Sequence, residues 1–428
     1  MIRKTIQRIM PTAKKVIVIA GTTGVGKSQL SIQLATKFNG EIINSDSMQV
    51  YKDIPIISNK HPIGEREGIP HHVINHIDWT DEYYLHKFEE ECLQTIEEIH
   101  SRGKIPIIVG GTHYYLQALF NKKVETGSRE LAKKESEILN SNDPNLIYQT
   151  LMVVDPDIAK KYHPHDTRRV QRMLEIYYTT GKKPSEMYND QQLTLRYNTL
   201  FLWLYSDPIP LDKRLDDRVD AMLESGGMDE INQLYSYYKE NNFKPEQCEN
   251  GVWQVIGFKE FLPWLEKSSG VTLEECVDKM KIRTRQYAKK QVKWIRKMLI
   301  PDINGDIYIL NASDLDKWQN IVSKRANSIA EEFVNDTTII EERAPVELSH
   351  LLDGIEMSTK VKQNKTEACE QFICEICCDQ QGEKLRAIGT KNWEIHLKSR
   401  RHKRNLTRGV KKAQYEKWKA QNKSSTRV

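Results

Sequence analysis

Apolar and polar positions divide the chain into stretches of different period. Residues 16–20 (VIVIA), 41–44 (EIIN), 105–109 (IPIIV) and 200–205 (LFLWLY) are short apolar runs, too short for helices, and predict buried strands. Residues 29–38 and 83–100 instead repeat apolar positions at helical spacing. Strands alternating with helices predict an α/β fold with a parallel sheet. From 121 to about 198 the strand-like runs stop. Polar helical stretches take over at 129–140, 145–152, 157–161 and 167–180, which reads as a helical insertion. The core pattern resumes with helices over 211–224 and 273–299 and ordinary globular patterning over 302–333. Periodicity is then lost and the chain turns polar, as a linker does. The expected division is a basic segment 1–14, a core formed by 15–120 and 199–336, an insertion 121–198, a linker 337–368, a small module 369–412 and a basic tail 413–428. No apolar run approaches the ~20 residues of a membrane span, so no membrane partner is expected.

Composition adds little until it is placed along the chain. Among 428 residues, 29% are charged and the net charge is +5, a mild excess. The first fifteen residues hold Arg3, Lys4, Arg8, Lys14 and Lys15 without an acid, and the first acid is Glu41. Ile2, Ile6 and Ile9 share one helical face there. A mitochondrial transit segment and a solvated basic tail both fit this pattern, and Met10 offers a second start that omits most of it. Seven cysteines, three of them at 374, 377 and 378, do not form a disulfide framework; the bunch points to metal binding in a reducing compartment.

The chemistry begins at residues 21–28, GTTGVGKS, which match G-x-x-x-x-G-K-[ST] between a predicted strand and a predicted helix. Gly21, Gly24 and Gly26 let the chain turn and approach closely. The amides from Thr22 to Val25 can face phosphate oxygens, Lys27 adds charge, and Ser28 offers a hydroxyl to a magnesium ion. Asp46 and Ser47 follow the second strand, at the sheet edge where α/β proteins bind ligands; a helix N-cap is the other reading of Asp46. Gly110 and Gly111 end the third strand as a close backbone approach to ligand or a plain tight turn. That strand lacks a terminal acid, which argues against routine ATP hydrolysis.

Beyond the N-terminal segment, basic residues gather in four places. Arg168 and Arg172 share a face of the helix at 167–180 and can track a phosphate backbone or simply be solvated. Arg214 and Arg218 lie one turn apart and suit a diphosphate, unless Asp212, Asp216, Asp217 and Asp220 pair with them on the surface. The helix at 273–299 carries Lys281, Arg285, Lys289 and Lys293 with Tyr287 and Trp294, a pattern for nucleic acid ahead of a calmodulin-like or membrane-surface helix. Cys374-x2-Cys377 and His396-x5-His402 supply the ligands of a structural zinc, with Cys378 spare. The basic run at 398–412 reads as a nuclear address, an RNA contact or both.

Taken in order, GTTGVGKS, NSDSMQVY, IPHH, GGTHYYL, DTRRVQRMLEIY, TGKKPSE, GVWQVIGFKEF and TRQYAKKQVKWIR resemble the tRNA dimethylallyltransferases, or tRNA isopentenyltransferases, in their eukaryotic form with a zinc finger. The likeness covers about 15–300 and is greatest to the fungal members. It implies a P-loop-type parallel sheet core with an inserted helical domain and a small C-terminal C2H2 zinc finger. It also implies transfer of a dimethylallyl group from dimethylallyl diphosphate to N6 of adenosine 37 in the tRNA anticodon loop. Asp46 matches the family's general base, Thr23 its contact to the bridging oxygen, and Arg218 a stabiliser of the leaving diphosphate held by residues 21–28. Ser47, Met48, Gln49 and Thr112 would surround the adenine. Thr167, Arg168, Arg169, Val170, Gln171 and Arg172, with Lys281, Arg285, Lys289 and Lys293, would meet the tRNA. Magnesium and zinc are the expected ions, a monomer the expected state, and mitochondrion, cytoplasm and nucleus the expected locations. Two departures stand out. Thr22 replaces the proline of many members, and Ile57-Ser58 replaces a glycine–threonine pair, which puts any substrate contact there in doubt. A P-loop nucleoside or nucleotide kinase and a non-catalytic RNA-binding zinc-finger protein are the alternatives.

Overall fold

The structure, a computed structural model, describes residues 14–120, 129–189, 194–268, 270–354, 370–378 and 382–408. Residues 1–13 of the basic N-terminal segment, the second half of the linker and the tail at 413–428 lie outside the described residues. The chain divides into two compact units, one of residues 1–121 with 193–359 and one of 122–192 with 360–428.

In the first unit the strands β1 (Lys15–Gly21), β2 (Gly40–Asn44), β3 (His71–His72), β4 (Ile105–Val109), β5 (Asn198–Tyr205) and β6 (Tyr308–Asn311) form one sheet. Its order is β3-β2-β4-β1-β5-β6, and every pairing is parallel. Successive strand residues point to opposite faces. Val16, Val18 and Ala20 therefore enter one core, while Ile17 and Ile19 enter another. The first core is closed by α2 (Leu85–Ser101) and by the later helices α9 (Met228–Glu240), α10 (Phe258–Leu265) and α11 (Leu273–Trp294). The second is closed by α1 (Lys27–Phe38) and α13 (Lys324–Val334). Burial on both faces explains why the strands read as continuous apolar runs rather than alternating ones. Residue 21 pairs with 204, 44 with 109, and 205 with 311, so the strands end along one edge.

In the second unit, α3 (Lys133–Leu139), α4 (Pro144–Val154), α5 (Pro156–Ala159), α6 (Thr167–Thr180) and α7 (Pro184–Asn189) pack around Ile147, Leu151, Val170, Leu174 and Ile176. The same unit holds the hairpin of β7 (Gln371–Cys378) and β8 (Lys384–Ile388), followed by α14 (Thr390–Lys398). The hairpin is tied to the helices. Gln371 Nε2 donates to the Tyr148 hydroxyl at 2.9 Å and to the carbonyls of Lys160 and Tyr162 at 3.3 and 3.0 Å. The small module thus shares a unit with the insertion.

Both long core helices end differently from the expectation. The first, α8 (Pro208–Met222), is followed by a kink at 223–227, where Gly226 leaves the helical conformation at φ 103° ahead of α9. The second, α11, widens after Trp294 and runs on into the short α12 (Ile300–Asp302).

Candidate active site and metal centre

The loop between β1 and α1 is held open by its neighbours. A Cβ on Gly24, at φ 82°, would meet Leu215 Cδ2 at 2.7 Å, and one on Gly26, at φ 88°, would meet the Trp318 ring at 2.7 Å. Only glycine fits between these side chains in these left-handed conformations. Val25 is fully buried, so it offers backbone alone. Lys27 Nζ donates to the Thr22 carbonyl at 2.7 Å. The Thr22 hydroxyl is buried without a hydrogen-bond partner.

Two further loops converge on this one. Asp46 sits just beyond β2, where its carboxylate accepts the Met48 N–H at 2.9 Å, and the nearby amides of Gln49 and Gly111 favour its ionised form. No helix follows, so Asp46 closes an Asx turn and not a helix N-cap. Thr112 Oγ1 accepts the Ser47 N–H at 2.9 Å and donates to Ser47 Oγ at 3.1 Å. Gln49 donates to the Asn59 carbonyl at 2.8 Å, and Met48 packs on the core. The glycine pair is a close approach within the protein. A Cβ on Gly110 would collide with the Ser45 backbone, and one on Gly111 would sit 2.5 Å from Gln291 Nε2 and 3.1 Å from Asp46 Oδ2.

The charges at this edge perturb one another. Burial raises the Asp46 carboxyl above the usual carboxylate range, and nearby Lys27 works against that shift. Burial pushes Lys27 down to about 8, with Asp46 opposing and Arg218 reinforcing. Arg218 is pushed down to about 10 by burial, and Asp46 opposes. Each side chain keeps some accessible surface, but protein surrounds it closely enough for desolvation to dominate. Arg218 Nε is buried without a partner. A carboxyl poised to take a proton thus lies among cations short of counter-charge.

The aspartates offered as surface partners of Arg214 and Arg218 go elsewhere. Asp220 pairs with Lys281 at 2.7 Å, Asp216 with Arg285, Asp212 with Lys289 at 3.7 Å, and Asp217 with Lys213 at 2.6 Å. Lys281, Arg285 and Lys289 therefore join α11 to α8, while Lys293 is exposed. Arg214 is structural. It donates to Ser206 Oγ at 2.6 Å and to the Ala312 and Ser313 carbonyls at 2.8 and 3.2 Å. Ser58, at the departure from the family pattern, spends its hydroxyl on the Ile54 carbonyl, and Glu230 caps the amides of Ile56 and Ile57.

Two residues at this edge escaped the sequence reading. His113 Nε2 accepts the Gly21 N–H at 3.1 Å, and its ring stacks on Trp294. Burial, with Lys27 adding to it, lowers this histidine to about 3, so it stays neutral. Gln291 accepts the Thr23 N–H through Oε1 at 2.8 Å and donates through Nε2 to the Gly111 carbonyl at 2.8 Å. A signal existed. Cys276, Met280, Thr284, Ala288 and Gln291 form the buried stripe of α11, and a glutamine on such a stripe needs polar partners inside.

In the second unit, Val170 of α6 is fully buried and belongs to the core, which corrects its placement at an RNA surface. Gln171 donates to the Leu139 carbonyl at 2.7 Å; Arg169 pairs with Asp166 and Arg172 with Glu175, each at 2.7 Å. Thr167 and Arg168 begin the same helix. Cys374, Cys377, His396 and His402 bring one donor atom each within 4.8 Å of one another. His402 Nδ1 lies 3.5 Å from Cys374 Sγ, 3.7 Å from Cys377 Sγ and 3.1 Å from His396 Nε2. Tetrahedral zinc bonds of ~2.3 Å to sulfur and ~2.0 Å to nitrogen give edges of about 3.5 Å, so this donor set fits such an ion. Asn405 Nδ2 and the Cys377 N–H each donate to a cysteine sulfur at 3.3 Å, as outer partners of a thiolate site do.

Comparison with known proteins places the whole arrangement. The IPP transferase family model matches residues 49–298. The chain belongs to the IPP transferase family. A tRNA dimethylallyltransferase of Saccharomyces cerevisiae is 62% identical over 430 residues, covering 99% of this chain and 100% of its own. One from Schizosaccharomyces pombe is 36% identical over 426 residues, covering 94% and 97%. A crystal structure of a eukaryotic dimethylallyltransferase acting on tRNA superposes on this IPP transferase with a TM-score of 0.87 at 64% identity, over 95% of this chain and 100% of that one. The tRNA isopentenylpyrophosphate transferase of Bacillus halodurans gives 0.54 at 31% identity, over 75% and 97%.

Proposed function

We propose that the chain transfers a dimethylallyl group from dimethylallyl diphosphate to N6 of an adenosine, number 37, in the anticodon loop of tRNA. The observation that carries the reading is the meeting of a base with an anion site at one sheet edge. Asp46 has its carboxyl raised by burial, and Lys27 and Arg218 lie close enough to perturb it. An exocyclic amine is a weak nucleophile, so the new C–N bond needs a group to take the N6 proton, and Asp46 is that base. As the allylic C–O bond breaks, its electron pair leaves with the diphosphate. Lys27, Arg218, the Thr23 hydroxyl and the loop amides other than those of Gly21 and Thr23 stabilise the charge that develops. Ser28 at the start of α1 would hold, with the diphosphate, a magnesium ion that neutralises further charge. Ser47, Gln49 and Thr112 border Asp46 and would hold the adenine, which must leave the anticodon-loop stack to reach it.

The Cys2His2 cluster would hold a structural zinc that folds the finger. Arg168 and Arg172 of α6, and Lys293 of α11, are the cations we assign to tRNA. The kinase and non-catalytic readings lose ground because relatives along the whole length carry one transferase name. The test is incubation of labelled dimethylallyl diphosphate with undermodified tRNA. Label should enter tRNA with the parent chain and not with Asp46→Ala, whose tRNA affinity should be kept. ATP-dependent label alone would overturn the reading, and transfer by Asp46→Ala would remove Asp46 as the base.

A further inference from the structure

We propose that Gln291 is a positioning residue that sets the distance between the leaving-group loop and the base. The inference rests on the transferase reading above and deepens it. The parallel sheet fixes where β1 and β4 end, but the loops beyond those ends are outside the ladder of hydrogen bonds. Gln291 spans them from a third element, α11. Its Oε1 accepts the Thr23 N–H at 2.8 Å and its Nε2 donates to the Gly111 carbonyl at 2.8 Å. The carboxamide can be placed only this way round, because a backbone N–H needs an acceptor and a carbonyl needs a donor.

The Gly111 peptide carries the link onward. Its N–H lies by the Asp46 carboxylate and favours the ionised form, while its carbonyl takes Gln291 and, at 3.3 Å, the Tyr287 hydroxyl. One buried side chain, 3% exposed, therefore runs from the residue assigned to the bridging oxygen to the residue that orients the base. The fit around Gly111 is close, since a Cβ there would lie 2.5 Å from Gln291 Nε2 and 3.1 Å from Asp46 Oδ2. The next residue extends the tie to the β2 loop, where the Thr112 N–H donates to the Ser45 carbonyl at 3.1 Å. His113 bonds the foot of the glycine loop at Gly21; Gln291 alone of the two reaches Thr23. Transfer requires the amine, the allylic carbon and the bridging oxygen to line up, and small misplacements of such groups cost rate steeply.

The experiment uses the full chain in single-turnover transfer from labelled dimethylallyl diphosphate to undermodified tRNA, both saturating. Gln291→Met keeps the length and removes both bonds. Gln291→Glu keeps an acceptor for Thr23 and sets an oxygen against the Gly111 carbonyl, and it serves if Gln291→Met does not fold. The transfer rate should fall about tenfold or more in either variant, with tRNA affinity within about twofold of the parent. The acid limb of the pH–rate profile should also move to higher pH, because a displaced Gly111 N–H no longer favours ionised Asp46. Lys27 from α1, Arg218 from α8, Tyr287 from α11 and Tyr115 from the segment after β4 also face Asp46, and all four are retained. Variants that transfer at the parent's rate overturn the inference. So does a fall that tracks a lowered melting temperature with the acid limb unmoved, which marks a purely structural role. If the parent itself transfers nothing, the transferase reading fails first and the inference falls with it.

Discussion

Diphosphate binding should weaken at a pH where lysines are ordinarily still charged. Burial, reinforced by Arg218, pushes Lys27 from the usual 10.5 down to about 8. The terminal phosphate of an alkyl diphosphate loses its last proton near ~6, so the ligand's charge changes little above pH 7.5. Bound diphosphate lays negative charge against Lys27 and returns its pKa upward. Between pH 8 and 10, binding must therefore recharge the lysine. At pH 9 about nine in ten free molecules hold Lys27 neutral, so affinity should be about tenfold weaker than at pH 7. Binding at pH 9 should take up close to one proton, about 0.9 per site. The assay is calorimetric titration with dimethylallyl diphosphate in the absence of tRNA at pH 7, 8 and 9, each in two buffers of different ionisation enthalpy. Lys27→Arg stays charged throughout, so its affinity should be nearly flat over the same range. Equal affinity at pH 7 and 9 with no proton uptake by the parent would refute the reasoning. The ligand-free chain should respond in the opposite sense. Its unfolded state binds the Lys27 proton more tightly, so this group makes stability rise from pH 8 to 10.5.

Other outcomes follow from single features. Thr22→Val removes a buried hydroxyl that has no partner, so ligand-free stability by thermal melting should hold or rise by about 1 kcal/mol; a clear fall would mean the hydroxyl is satisfied. Lys281→Gln combined with Arg285→Gln breaks two half-buried pairs between α11 and α8 and should cost about 1 kcal/mol by denaturant titration. An unchanged midpoint would return both cations to the RNA. Stripping the metal with a chelator should abolish amide protection over 370–408 in hydrogen exchange and spare the sheet of the first unit, since the Cys2His2 donors hold the finger's fold.

The sheet was legible because its strands are buried on both faces. The runs at 105–109 and 200–205 could be little else, and the observed β4 and β5 coincide with them to within two residues. Glycines 21, 24 and 26 were legible for a related reason: a backbone demand leaves a residue-type trace. β6 was missed because four residues inside a globular stretch carry too short a pattern. The charge pairing of α8 with α11 was also missed. Asp216 and Arg285 are 69 residues apart, and only the packing of the two helices brings them together. Asp46 and Lys27 were readable as residue types at strand ends, whereas their mutual perturbation needs the third dimension. Gln291 was hidden by company, one amide in a helix whose cations drew attention to the opposite face.

The bond from Gln371 to Tyr148 joins positions 223 residues apart. During synthesis at ~5–20 residues per second, the insertion must wait roughly 10–45 s for that glutamine to be made. Over that interval the Tyr148 hydroxyl lacks this donor and faces water instead. The second unit is therefore completed only after residue 371 has been made. A chain released between residues 359 and 371 would carry the whole first unit and a second one still lacking the tie from Gln371.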